Sequence, residues 1–187
     1  MKQMTKLLPV VFTYIFAVLL NACDYETGIN SAEYPDQTLY IPAAYAGIYN
    51  IDNIPVVVKN NPTEGQPFKY RVDTEKREFI VPLAVYRSSV DNKGAIPVSI
   101  AVNTDTIADL IAAGGLAGGT SVLSGQNYSL INTVTIPDGQ DIAKFDLVVN
   151  LDLLRNTYPN KVYALGITIS SDQKEVNTKL GTIVVAI

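Results

Sequence analysis

From Phe79 onward the apolar residues fall at every second position. Phe79, Val81, Leu83 and Val85 make one such series, and Ile96, Val98, Ile100 and Val102 a second. Phe145, Leu147, Val149 and Leu151 follow, then Tyr163, Leu165, Ile167 and Ile169. Successive side chains of a β-strand point to opposite faces, so a period of two gives each segment one apolar and one wet face. Turn residues separate the segments, notably Asp91-Asn92-Lys93-Gly94 and Pro137-Asp138-Gly139.

The same reading extends along the chain. Leu39-Tyr40-Ile41, Gly47 to Ile51 and Val56-Val57-Val58 read as short strands, and Phe68, Tyr70 and Val72 as a half-buried one. Pro82 cannot donate to a ladder, which predicts an edge strand or a bulge there. Tyr128, Leu130, Val134 and Ile136 share a face interrupted at Asn132, and Thr182 to Ile187 reads as a last strand. Helical signals are brief. Asn103-Thr104-Asp105 caps a predicted helix over Thr106–Ala113, stopped by Gly114-Gly115, and Leu151–Tyr158 predicts a helical turn before Pro159-Asn160. Gly114 to Gly125 reads as a loop. With no βαβ alternation and no repeat, the pattern predicts an all-β fold: an antiparallel, immunoglobulin-like β-sandwich over residues 37–187 with one or two short helical turns. A single sheet or a small barrel is the alternative.

The N-terminus carries a different signal. Lys2 and Lys6 precede an apolar run from Leu7 to Leu20, and Leu20-Asn21-Ala22 leads to Cys23, the one cysteine in 187 residues. Basic start, apolar middle and small residue before the cut are the parts of a secretory signal over residues 1–22. The run is short of the roughly 20 apolar residues that a spanning helix needs. The cysteine after the cut makes the segment resemble a lipobox, which implies lipidation of Cys23. Asn21 departs from the small or hydroxylated residue more usual there, and an ordinary signal and a retained anchor are the competing readings. Residues 23–36 then read as a polar tether after the lipidated cysteine. Asp24-Tyr25-Glu26 loosely resembles surface-export tags of Bacteroidetes-type lipoproteins. The expectation is an outer-membrane lipoprotein, leaning towards surface exposure, attached through its lipid anchor.

Composition narrows the chemistry. Removing residues 1–22 takes Lys2 and Lys6 from 14 Lys+Arg and none of the 18 Asp+Glu, leaving a net charge of −6. An acidic surface repels phosphate backbones, so nucleic acid is not an expected partner. Histidine and tryptophan are absent. That rules out a Ser-His-Asp triad and a His-based zinc site, and acylation of Cys23 rules out thiol catalysis. An enzyme would have to work with carboxylates alone. No cofactor, no metal and no catalytic residue is expected.

The second half resembles a known family in its order of motifs. Tyr128-Ser129-Leu130 is followed by Val134-Thr135-Ile136-Pro137-Asp138-Gly139, Phe145-Asp146-Leu147-Val148-Val149 and Tyr163-Ala164-Leu165-Gly166-Ile167-Thr168-Ile169. This is similar to an uncharacterised N-terminal immunoglobulin-like domain of Bacteroidetes-type surface lipoproteins, found in front of glycan-binding and glycoside-hydrolase domains. The likeness covers Phe79 to Ile187, with a weaker extension back to Tyr40. Gly166 stands where that family often has a proline. Because the chain stops at Ile187, the resemblance implies a partner surface protein or glycan in place of a second domain in cis.

Several residues invite a chemical reading. Asp105 and Asp109 are four apart and could share a helix face, but they read more simply as a cap and a solvated charge. Asp138 and Asp141 flank Gly139-Gln140 and read as turn residues in preference to calcium ligands. Gly114 to Ser121 lacks the lysine of a phosphate loop. Tyr70, Tyr128 and Tyr163 fall on core-facing positions. Tyr45, Tyr49, Tyr86 and Tyr158 fit loops or opposite faces and are the candidates for ligand or partner contact. Asp105-Thr106-Ile107 resembles an O-glycan acceptor motif of such exported proteins, which makes Thr106 a candidate for O-glycosylation. The leading expectation is a non-enzymatic accessory glycan-binding or docking module. The alternative is a structural or adhesive subunit assembling through its terminal strand.

Overall fold

Two sheets face each other across one apolar layer in the computed structural model, which describes residues 36–51, 69–88, 91–157 and 160–187. In chain order the elements are β1 (Thr38–Tyr40), a 3-10 turn (Pro42–Ala46), β2 (Ile48–Asn50), β3 (Arg71–Asp73), β4 (Glu78–Arg87), β5 (Ile96–Val102), α1 (Asp105–Ala112), β6 (Ser121–Val122), β7 (Tyr128–Leu130), β8 (Thr133–Ile136), β9 (Ile142–Asn150), α2 (Leu151–Thr157), β10 (Tyr163–Ser170), β11 (Glu175–Val176) and β12 (Thr182–Ala186). The first sheet runs β11-β1-β4-β9-β7, with β3 also on β4. The second runs β2-β12-β10-β5-β8, with β6 also on β10. The long ladders are antiparallel, as expected. Three short pairings are parallel: β1 with β11, β6 with β10 and β2 with β12. The all-β sandwich with two short helices is thus the observed architecture.

The alternating segments bury the faces expected of them. Phe79, Val81, Leu83 and Val85 of β4 and Phe145, Leu147 and Val149 of β9 are buried, opposite Ile96, Val98, Ile167, Ile183 and Val185 of the second sheet. Tyr70 is fully buried and stacks on Phe79 at 4.9 Å between ring centroids. Burial of each large apolar side chain contributes about 1.5–3 kcal/mol, so these two sheets carry most of the stability.

A smaller cluster closes the outer face of the second sheet. Ile107 of α1 packs with Leu116, Ala164, Val184 and Ala186. β10 and β12 are therefore buried on both faces, which explains the unbroken apolar run Ile183-Val184-Val185-Ala186-Ile187. Asn103 Oδ1 accepts the backbone N–H of Thr106 at 3.2 Å and so caps α1, which begins one residue before its expected start. At Gly166, a Cβ would lie 2.0 Å from the carbonyl oxygen of Asn103, so the close approach of β5 to β10 requires glycine.

Four expectations change. The terminal strand is not available for pairing with a neighbour: β12 is hydrogen-bonded to β10 along Ala164–Thr168 and to β2 at Val184–Ala186. Its apolar content on both faces seats it inside the sheet. Tyr128 to Ile136 is two strands, because the chain crosses between sheets at Asn132, with β7 on β9 and β8 on β5. The stretch Gly114 to Gly125 holds β6, which pairs with Tyr163 and Ala164. β4 is an interior strand in spite of Pro82. Val56-Val57-Val58, Phe68, Tyr158, the signal over residues 1–22, Cys23 and the tether to Pro35 lie outside the described residues.

Candidate functional site

Pro82 marks the local feature on which the site is built. β4 pairs with β9 from Glu78 to Tyr86. On its other side β3 covers only Glu78–Ile80 and β1 only Tyr86–Arg87. The Arg87 N–H donates across to Asp141 O at 2.9 Å, and the Ser88 N–H donates the opposite way to Thr38 O at 2.9 Å. Strand alternation then points the nitrogen of Pro82 away from β9, into the gap between β3 and β1. A missing N–H costs nothing there, because no described strand offers it an acceptor. The expected edge character is thus real but local.

The same alternation sets the outer face of the first sheet. Tyr86 lies opposite Ile142, Ala84 opposite Lys144, Pro82 opposite Asp146 and Ile80 opposite Val148. These side chains are half-buried, except Lys144, which is exposed. With Arg71 of β3 and Pro42 and Ala43 of the 3-10 turn, the three pairs from Tyr86 to Asp146 line a depression of about 700 Å³. Arg71 and Asp146 join across it in an ion pair at 2.7 Å. Both are well solvated, so the pair adds at most about 1 kcal/mol and stays open to exchange with a ligand. At the other end the rings of Tyr40 and Tyr86 lie 5.8 Å apart, tilted by 33°. Two smaller depressions lie along the same strands, one of about 330 Å³ beside Asp73 and Ile80 and one of about 360 Å³ beside Asn127 and Asn150. From Tyr86 to Glu78 the surface runs about 27 Å at the usual rise per strand residue.

The four tyrosines singled out from the sequence separate. Tyr86 lies in the groove. Tyr45 is 89% exposed, on the 3-10 turn whose first residues line the same groove. Tyr49 sits on β2 in the other sheet and packs against the core, where burial pushes its phenol pKa up from 10.0. Tyr49 therefore lies on the other sheet from the groove. Tyr158 lies outside the described residues. Tyr70 and Tyr163 are buried and Tyr128 packs on the core, as their positions predict.

Other candidates are placed elsewhere. Thr106 is half-exposed in the first turn of α1, and Asp105 and Asp109 are exposed on that helix. Asp138 Oδ1 accepts the Gly94 N–H at 2.6 Å, which is turn work. Among the described residues no three His, Cys, Asp or Glu side chains gather as metal ligands, and no helix is long and apolar enough to cross a membrane.

Sequence reasoning missed Arg71, Tyr40, Lys144 and Asp146, and also Arg87. Arg87 is 2% exposed, and among the described residues its guanidinium donates to backbone carbonyls. These are Gln140 O at 2.7 Å, Lys93 O at 3.1 Å, Gly94 O at 2.8 Å, Pro137 O at 3.3 Å and Asn92 O. One side chain thereby ties the loop at 91–94 to the turn at 137–140, at the end of the sandwich near Tyr86.

Residues 34–176 match the model of a family described as an N-terminal domain. The chain belongs to that N-terminal-domain family. The matched residues include every motif on which the resemblance rested up to Ile169, together with the strands back to β1. Solved structures from Bacteroides share the family fold. A candidate carbohydrate-binding protein of Bacteroides ovatus aligns with a TM-score of 0.55 and 14% identity, over 80% of this chain and 36% of its own. A multidomain protein including DUF1735, also from Bacteroides ovatus, aligns at 0.50 and 15%, over 80% and 42%. An auxiliary nutrient-binding protein of Bacteroides thetaiotaomicron aligns at 0.50 and 16%, over 74% and 43%. This member of the family therefore spans less than half the length of each of those three. No curated protein matches it in sequence.

Proposed function

We propose that this chain is a lipid-anchored, non-enzymatic protein of the bacterial cell envelope that contacts glycans as an accessory binding or docking module of a polysaccharide-utilisation system. The observation that carries the reading is the groove on the outer face of the first sheet. It joins an aromatic end, Tyr86 backed by Tyr40, to a hydroxyl-binding end, the Arg71–Asp146 pair. Sugars present apolar C–H faces and polar edges, and a tyrosine ring beside a solvated ion pair meets both. The family membership supports it, since its structural neighbours include proteins described as carbohydrate-binding or nutrient-binding. The lipid anchor rests on Cys23 and its flanks alone. Assembly through the terminal strand loses its basis, because β12 is paired on both sides.

Glycan-array screening of the full chain, followed by titration with the best hit, tests this. Tyr86→Ala is expected to weaken binding about tenfold, the upper end of what one aromatic contact contributes. Asp105→Asn on α1 should leave affinity unchanged. If no glycan binds, or if Tyr86→Ala binds as tightly as the wild type, the groove is not the contact surface.

A further inference from the structure

The groove differs in charge from the chain that carries it. The chain has a net charge of −4, whereas the groove wall holds two cations, Arg71 and Lys144, against one carboxylate, Asp146. Asp146 is already engaged by Arg71 at 2.7 Å. Among the described residues Lys144 makes no ion pair, and its side chain is exposed at the centre of the groove. Its cross-strand neighbour on this face is Ala84, whose small side chain leaves room beside the ammonium. We infer that the groove takes an acidic glycan, a polysaccharide segment built of uronic acids, with Lys144 meeting a sugar carboxylate while Tyr86 holds a sugar face. This rests on the glycan contact proposed above and names its chemical class. The acidic background does not oppose such a ligand at close range. At physiological ionic strength charges beyond about 8 Å are largely screened, so the local cation decides. A lysine suits the task, because its ammonium is a mobile point charge on a flexible stem and can follow a carboxylate that differs in position from sugar to sugar.

The test is calorimetric titration of the detergent-solubilised full chain with an oligogalacturonate and with the same oligosaccharide after reduction of its carboxyl groups. The acidic sugar is expected to bind tighter by a factor of up to about five, as befits one solvated charge pair. That advantage should shrink as salt is raised and vanish in Lys144→Gln, while the neutral sugar binds wild type and variant alike. Lys144 is exposed, so the variant is expected to fold, and circular dichroism checks that it does. Equal binding of the two sugars, or an advantage that survives in Lys144→Gln, overturns the acidic class and leaves glycan binding standing. Silence from both, and from the neutral glycans of the array, overturns the glycan reading itself. A polyglutamate that binds in a Lys144-dependent way where the uronate does not would reassign the groove to an acidic peptide.

Discussion

At the scale of single residues, the buried Arg87 is the clearest case of a side chain whose role only the folded chain reveals. It ends an alternating series, after Phe79, Val81, Leu83 and Val85, and the period of two places it on the inner face. A charge is tolerated there because five backbone carbonyls of two separate loops surround it. Removing the guanidinium leaves those acceptors facing a void. Arg87→Ala should therefore cost about 3 kcal/mol or more in urea unfolding. Arg87→Lys should fall between, since one ammonium cannot supply the same planar fork of donors. A loss below about 1 kcal/mol in Arg87→Ala would show that water replaces the side chain and that the loops hold without it. The groove residues were hidden for a related reason. Arg71 and Asp146 are ordinary wet-face charges when read locally, and they meet only because β3 and β9 flank β4, across 75 residues of sequence.

At the scale of elements, legibility followed length. β4, β5, β9 and β10 each present at least three alternating apolar residues, and each was readable from the chain alone. The two-residue strands β6 and β11 were not, because their pairing partners are distant and no local period marks them. Position within a sheet was less legible than strand identity. The terminal segment read as a strand free to pair, yet Ile183 and Val185 enter the core while Val184 and Ala186 lie under α1. The continuous apolar run was the available signal, since an edge strand exposed on one face has no use for it. Deleting Thr182–Ile187 is therefore expected to abolish folding. Lost burial of five apolar side chains, at about 1.5–3 kcal/mol for the larger ones, is comparable with the about 5–15 kcal/mol net stability of a typical domain. Loss of the β-type circular dichroism signal in the truncated chain is the expected result. A truncated chain that still melts cooperatively would mean that β12 is an accessory strand.

At the scale of the whole molecule, the glycan contact proposed for the groove would depend on where the chain is held. An exposed ion pair and one tyrosine make a weak site, and weak sites become effective when many copies are confined to one surface. Lipidation of Cys23 would supply that confinement. Each buried methylene adds about 0.8 kcal/mol of membrane affinity, and two or more acyl chains hold stably where one does not. The prediction is that the chain expressed in a lipoprotein-processing bacterium partitions into the detergent phase of a Triton X-114 separation and incorporates labelled palmitate. Cys23→Ser should lose the label and move to the aqueous phase, without change in the thermal melt of the domain. The competing readings of the N-terminus give different results. A retained anchor over Leu7–Leu20 keeps Cys23→Ser in the detergent phase, and an ordinary signal leaves the wild type itself aqueous and unlabelled. The retained anchor would keep the chain at a membrane without its lipid, whereas the aqueous result would remove the surface confinement, and with it the reason to expect a weak groove to work in capture.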